Sequence, residues 1–323
     1  MESTGLTTTF PLALAMHSHE LRARAEHALG VVAQSDSTLA EALRTAAKHT
    51  SLVVASDFDG TLCEHVLLPA LPKVDDLGAR AFARLAALPR VVGAIVSGRG
   101  LNDLTHALSA KEHELARCVL VGSHGAEWSD AGTHDSSSAQ EKHTLVTDPS
   151  TQQTVRALRD AMHALLSGEL APHASGVFVE HKPLGVAVHV RGLDAPIGQS
   201  VLVRAQRAML ACGDVRMRMG AMVVEASVAK VGKDDAIRAL RARMASAADA
   251  KHVCVVALGD DVTDEDAFGA LEAHDVGIKV GTGPTLARYR VASVARVCEA
   301  LWALALLREA SCDELQVGSI TDR

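Results

Sequence analysis

The residues with the clearest chemical potential are Asp57-Phe58-Asp59-Gly60-Thr61-Leu62. Two carboxylates two residues apart at the end of a buried strand repel each other unless a cation offsets their charge. Hard oxygen donors of this kind suit Mg²⁺. Asp260, Asp261 and Asp264, much further along the chain, would complete an acidic site. Asp-Gly is also a common turn signal, and the dipeptide alone would say no more than that. Here, however, it follows the apolar run Ser51 to Ala55, and Ser97-Gly98-Arg99 follows a second such run, Val91 to Val96. No Gly-x-x-x-x-Gly-Lys-Ser/Thr loop, zinc-protease His pair or Gly-x-Ser-x-Gly elbow competes with this reading.

These clusters need elements to bring them together. Ser51–Ala55, Val91–Val96, Cys118–Val121, Val253–Leu258 and Val276–Val280 read as buried strands. Helical spacing covers Leu77–Ala87 and Ala236–Ala245. Strand and helix in alternation imply a parallel sheet covered on both faces. Ligands bind such sheets at the carboxyl ends of the strands, where the Asp57, Ser97 and Asp260 clusters all fall. A different pattern separates the two blocks. Helical stretches at 151–167 and 197–211 alternate with hairpins at Val177–Glu180/Val186–Val190 and Val215–Met219/Met222–Ala226. The order α-β-β-α-β-β predicts an antiparallel sheet with helices on one face, inserted into the first unit.

The expected organisation is a helical N-terminal extension over 1–49, a core over 50–126 and 227–310, an inserted domain over 127–226 and a tail over 311–323. Within the extension, 18–30 and 38–48 carry helical spacing, and Thr38 with Glu41 matches a capping box. The Ser-, Asp- and His-rich stretch 129–141 reads as a surface loop near the first junction.

Composition narrows the function classes. The 323-residue chain is 48% hydrophobic, 22% charged and carries a net charge of −7, which fits a globular protein and disfavours non-specific nucleic-acid binding. Five Phe, two Trp and one Tyr leave few stacking platforms for single-stranded nucleic acid. No apolar run is long enough to span a membrane, and the Phe10–Met16 run lacks a basic flank before it. Six cysteines with no C-x-x-C pair read as reduced thiols, so a cytoplasmic location is expected. Nothing in the pattern specifies an oligomer.

The motif order resembles the haloacid dehalogenase superfamily. Asp57-Phe58-Asp59-Gly60-Thr61 is similar to its first motif, Ser97 to its second, Lys233 to its third and Gly259-Asp260-Asp261-Val262-Thr263-Asp264 to its fourth. The resemblance implies a Rossmann-like α/β core with an inserted α+β cap of type IIB. Ser97-Gly98-Arg99, Gly122-Ser123-His124-Gly125-Ala126-Glu127, Glu180-His181-Lys182, His189-Val190-Arg191 and the segment Gly259–Phe268 together resemble trehalose-6-phosphate phosphatases. The departures fall on the sugar side: His181 stands where that family has Asn, Val190 where it has Tyr, and Ala226-Ser227-Val228 where an Arg-Pro segment follows Glu225. Asp234 replaces the Gly after the third-motif Lys.

The resemblance implies a Mg²⁺-dependent phosphatase acting on a sugar phosphate. Asp57 is the expected nucleophile and Asp59 the general acid. Ser97 would hydrogen-bond a phosphoryl oxygen, and Lys233 would neutralise charge. Asp57, the backbone carbonyl of Asp59 and Asp260 would hold the metal. Asp261 and Asp264 would bind it through water or steady its ligands. Arg99, His124, Glu127, Glu180, Lys182 and Arg191 are the expected substrate-binding residues. The departures keep alternatives open: the same chemistry on sucrose-phosphate or mannosyl-phosphoglycerate, or a non-catalytic sugar-phosphate sensor.

Overall fold

The structure, a computed structural model, describes residues 9–65, 72–129, 143–144, 148–220, 222–248 and 252–321. Most of the 129–141 loop therefore lies outside the described residues.

Two helices come first, α1 (Thr9–Ser35) and α2 (Ser37–Ala47). The cap of α2 is Asp36, whose carboxylate accepts from the amides of Thr38 and Leu39; the capping box expected at Thr38 is displaced by this nearer acid. The large sheet then begins with β1 (Ser51–Ser56), followed by α3 (Asp76–Ala87), β2 (Val91–Val96), α4 (Leu101–Leu108), α5 (Glu112–Leu115), β3 (Val119–Gly122), β4 (Glu127–Ser129) and β5 (His143–Thr144). A second layer holds α6 (Pro149–Ser167), β6 (Phe178–Lys182), β7 (Gly185–His189), α7 (Ala195–Leu210), β8 (Arg216–Gly220) and β9 (Val223–Ser227). The chain returns to the large sheet with α8 (Lys233–Ala248), β10 (Val253–Gly259), α9 (Thr263–Gly269), β11 (Val276–Val280), β12 (Tyr289–Val291) and α10 (Val294–Thr321).

The large sheet runs β12-β11-β10-β1-β2-β3-β4-β5 and is parallel from β12 to β3. Its last two strands are antiparallel. β4 and β5 therefore continue the large sheet beyond residue 126, where the sequence placed the boundary; three-residue and two-residue strands carry too little periodicity to read. The helix α10 also runs through the expected tail to Thr321.

Strand alternation divides the core. Leu52 and Val54 of β1 face one apolar cluster, shared with Leu39 and Leu43 of α2, Phe82 of α3 and Leu301 and Leu304 of α10. Val53 and Ala55 face the other, with Ile237, Leu240 and Met244 of α8. Leu21, Ala25 and Leu29 of α1 belong to the first cluster, so the N-terminal helices pack directly on the core. The second layer has a cluster of its own, where Val186, Val188 and Val224 meet Leu158, Met162, Val201 and Met209 of α6 and α7. Among the described residues no helix is long and apolar enough to cross a membrane. All six cysteines are free.

Candidate active site

Parallel pairing places the carboxyl ends of β1, β2, β3 and β10 on one edge. Asp57, Ser97, Ser123 and Asp260 follow those strands directly. One ligand atom from each of Asp57, Asp260 and Asp264 lies within 4.8 Å of the others. The Lys233 ammonium, at the start of α8, donates to Asp57 Oδ1 at 2.6 Å and Asp264 Oδ1 at 2.7 Å. All three of these partners are buried. Burial pushes the Asp57 and Asp264 carboxyls up from their ordinary range. Burial also opposes the Lys233 charge, but the flanking Asp264 and Asp57 carboxylates outweigh it and raise its pKa. Three clustered carboxylates beside one ammonium form an oxygen donor set suited to a divalent cation.

The acidic residues after β10 divide by role. Asp264 joins the cluster and also accepts from the Asp261 amide at 2.9 Å. Asp261 turns elsewhere: its Oδ1 accepts from the Val262 amide, and the cluster does not include it. Asp260 is steadied by Thr61 Oγ1 at 3.3 Å and His65 Nε2 at 2.9 Å. Burial works against its charge, yet the His65 bond holds its carboxyl below the ordinary value. That bond likewise raises His65.

Asp59 is gripped by Arg99, with Nε to Oδ2 at 2.6 Å and Nη2 to Oδ1 at 2.7 Å. The Arg99 guanidinium also lies 5.6 Å from the centre of the Phe58 ring. Ser97 is buried, and its hydroxyl accepts from the Arg99 amide at 3.1 Å. The loop after β3 is strained: Ser123 and His124 both have left-handed φ, 49° and 58°, costing about 1–2 kcal/mol each. The buried His124 ring packs onto Gly98, where a Cβ would lie 2.6 Å from Cε1. Glu127 is a buried brace, its Oε2 taken by the Leu101 amide at 3.2 Å and the Ser123 hydroxyl at 2.5 Å.

The smaller sheet, ordered β6-β7-β9-β8, presents its polar face in rows. One row reads Glu180, Ala187, Glu225, Arg218; the next reads Lys182, Gly185, Ser227, Arg216. Glu180 and Lys182 thus share a face, and the exposed His181 falls on the other. Lys182 donates to Glu225 Oε2 at 2.5 Å and, across to the large unit, to Gly98 O at 2.7 Å. His124 Nε2 and Arg218 Nη1 each lie 3.5 Å from Glu225. Burial opposes the Glu225 charge, but Lys182 and His124 hold its carboxyl well below the ordinary range. Burial dominates at His124, which is pushed down to about 4. Glu180 accepts from His189 at 3.0 Å, and that bond lowers its pKa against the effect of burial. Arg191 is exposed, and its charge bears on His65. Arg216 donates to Asp266 of α9 at 2.7 Å, a second tie between the layers.

Sequence reasoning missed Glu225, Arg218 and His65 as site residues. A lone acid amid Val223, Val224 and Ala226 was the available signal for Glu225, and the Arg216/Arg218 spacing for its neighbour. His65 stands in no motif. A cavity of about 440 Å³ lined by His27, Val31, Leu77 and Trp302 holds none of these side chains.

A family model described as trehalose-phosphatase matches residues 55–295. The trehalose-phosphate phosphatase of Mycobacterium marinum is 33% identical over 253 residues, which are 75% of this chain and 58% of that protein. The bifunctional trehalose-6-phosphate synthase/phosphatase of Thermoproteus tenax is 30% identical over 250 residues, 76% of this chain and 30% of that protein. The chain thus spans little more than half of the first relative's length and under a third of the second's. The C-terminal domain of C. albicans trehalose-6-phosphate phosphatase superposes with a TM-score of 0.65 at 21% identity, covering 83% of this chain and 96% of that one, and so shares the fold. With the family model matching three quarters of its length and a relative 33% identical over the same share, the chain belongs to the trehalose-phosphatase family.

Proposed function

We propose that this site is the active centre of a Mg²⁺-dependent phosphatase that hydrolyses trehalose 6-phosphate to trehalose and inorganic phosphate. The observation that carries the reading is the buried Lys233 bridging Asp57 and Asp264 beside Asp260, assembled from three separate segments.

An oxygen of Asp57 attacks phosphorus, an Asp57–phosphate bond forms, and the bond to the sugar oxygen breaks. Asp59 protonates that leaving oxygen, then takes a proton from the water that cleaves the acyl-phosphate. The Arg99 fork fixes the Asp59 carboxylate in place, and its release toward the incoming substrate frees Asp59 to carry a proton. Lys233 and the Ser97 hydroxyl stabilise phosphoryl charge from buried, pre-set positions. Asp57 and Asp260, with the Asp59 carbonyl, would hold Mg²⁺, which when bound offsets the repulsion between an anionic nucleophile and an anionic substrate.

The smaller layer, from α6 to β9, acts as a cap, its polar face supplying Glu180, Lys182, Glu225 and Arg218 to sugar hydroxyls. Arg191 and His124 border that face, and Glu127 braces the loop that carries His124 through the Ser123 hydroxyl. Directional donors and acceptors of this kind are what a neutral disaccharide requires.

The test is phosphate release from trehalose 6-phosphate, with Mg²⁺ and with chelator, beside sucrose-phosphate and mannosyl-phosphoglycerate. Turnover confined to trehalose 6-phosphate, and cut to below about a thousandth in Asp57→Asn, is the expected result. Preference for another sugar phosphate would correct the substrate alone. Binding without turnover would replace the enzyme by a sensor.

A further inference from the structure

Among the three clustered carboxylates, Lys233 serves two. It donates to Asp57 and Asp264, and Asp260 must be steadied by something else. Two residues of the turn after Gly60 do so: the Thr61 hydroxyl at 3.3 Å from Oδ1 and the His65 imidazole at 2.9 Å from Oδ2. The Thr61 bond is long; the His65 bond has ordinary length. An ionised carboxylate only accepts, so Nε2 of His65 carries the proton and donates it.

The local backbone is shaped for this contact. Gly60 has φ +83°, a left-handed value that favours glycine. A Cβ there would lie 2.3 Å from Asp260 Oδ2 and 2.5 Å from His65 Nε2. The carboxylate oxygen and the imidazole nitrogen thus meet in the space left by a missing side chain. His65 itself stands outside the cluster. Among the described residues, the one group of His, Cys, Asp and Glu atoms close enough to share an ion is Asp57, Asp260 and Asp264.

We infer that His65 is a positioning residue for Asp260: it anchors one carboxylate oxygen so that the group is held toward Asp57 and Asp264, and so raises the affinity of the site for a divalent cation. The inference rests on reading that cluster as a cation site. Partners that orient a ligand in this way typically change metal affinity about 10–100-fold when removed.

Calorimetric titration of Mg²⁺ and Mn²⁺ into the full chain, without substrate, tests this independently of turnover. His65 is half exposed, so His65→Ala should fold as the parent protein does and melt only a few degrees lower when no ion is present. Its affinity for either ion should fall about 10–100-fold. His65→Gln, whose amide can still donate to Oδ2, should recover most of the loss. Electron paramagnetic resonance of the Mn²⁺ form should show no directly bound imidazole nitrogen. Unchanged affinity in His65→Ala, a Gln variant as weak as the Ala variant, a bound nitrogen that disappears with His65, or no ion binding by the parent protein would each overturn the inference. Ion binding that depends on His65 in a protein that releases no phosphate would instead sink the phosphatase reading and leave this one standing.

Discussion

Lys233 is only 3% exposed and answers two buried carboxylates, so its removal acts on both stability and rate. Breaking a buried ion pair from one side typically costs about 3–5 kcal/mol. Lys233→Met should lose about that much in chelator by denaturant titration, and Mg²⁺ should restore part of it, because the ion takes over charge compensation. Its rate of phosphate release should fall about 10²–10³-fold even at saturating Mg²⁺. His124 governs a different property. Its folded pKa is pushed down to about 4 by burial, below the ordinary value of 6.5. As pH falls, the unfolded chain takes up the proton first, so stability present above pH 6.5 is progressively lost down to about pH 4. Between pH 7 and 5 the loss is about 2 kcal/mol. His124→Gln should flatten the pH dependence of the unfolding midpoint by that amount; parallel curves for the two proteins would show that His124 contributes nothing to it.

At the scale of elements, the end of β10 is where sheet geometry and site geometry meet. A Cβ on Gly259 would lie 2.1 Å from Asp264 Cγ, so alanine there must drive Asp264 off Lys233. Gly259→Ala should destabilise the protein by about 1–3 kcal/mol, as overpacking does. It should also depress phosphate release while leaving the circular-dichroism spectrum unchanged. An Ala variant of normal activity would mean that the strand end can shift without disturbing the Lys233 bridge. Asp57 and Asp260 were legible in the sequence because each closes a buried, largely apolar run, and a carboxylate held there needs a cation or an ammonium beside it. β2 and β11 were legible to the residue because their apolar runs end abruptly at Ser97 and Gly281. Glu225 was not legible. Its partners Lys182, His124 and Arg218 come from three other segments, and only the pairing of β6, β7, β9 and β8, with the loop after β3 laid against them, brings them to one carboxylate. Asp59 was legible as an acid but not as the partner of Arg99, since nothing local couples residues forty apart. Glu127 was legible as a site residue, but not its bonds to the Leu101 amide and the Ser123 hydroxyl, because a motif records that a residue matters without recording which way it faces.

The whole molecule is closed by its last helix. Arg308 of α10 is buried and donates to the carbonyls of Ala47, His49, Thr50 and Pro89, joining the end of α2 to the starts of β1 and β2. Arg308→Met would strip four carbonyls of a charged donor. Hydrogen bonds to charged groups contribute about 1.5–3 kcal/mol each and are not additive, so a loss of about 3 kcal/mol or more is expected in urea titrations. A variant within experimental error of the parent protein would show that water replaces the guanidinium at no cost. The order β10-β1-β2 has a further consequence, for synthesis. β1 lies beside β10, its first residue Ser51 opposite Val253, so one flank of the central strand waits for a partner about two hundred residues downstream. At about 5–20 residues per second, that flank stays open on the ribosome for about 10–40 seconds. Through that interval an unpaired, largely apolar strand edge is available to any other nascent chain. The second layer, which has its own apolar cluster, is made and can collapse in the meantime. Yield in a cell should therefore depend on holdase chaperones and on translation speed through 57–253 more than on the equilibrium stability of the finished protein.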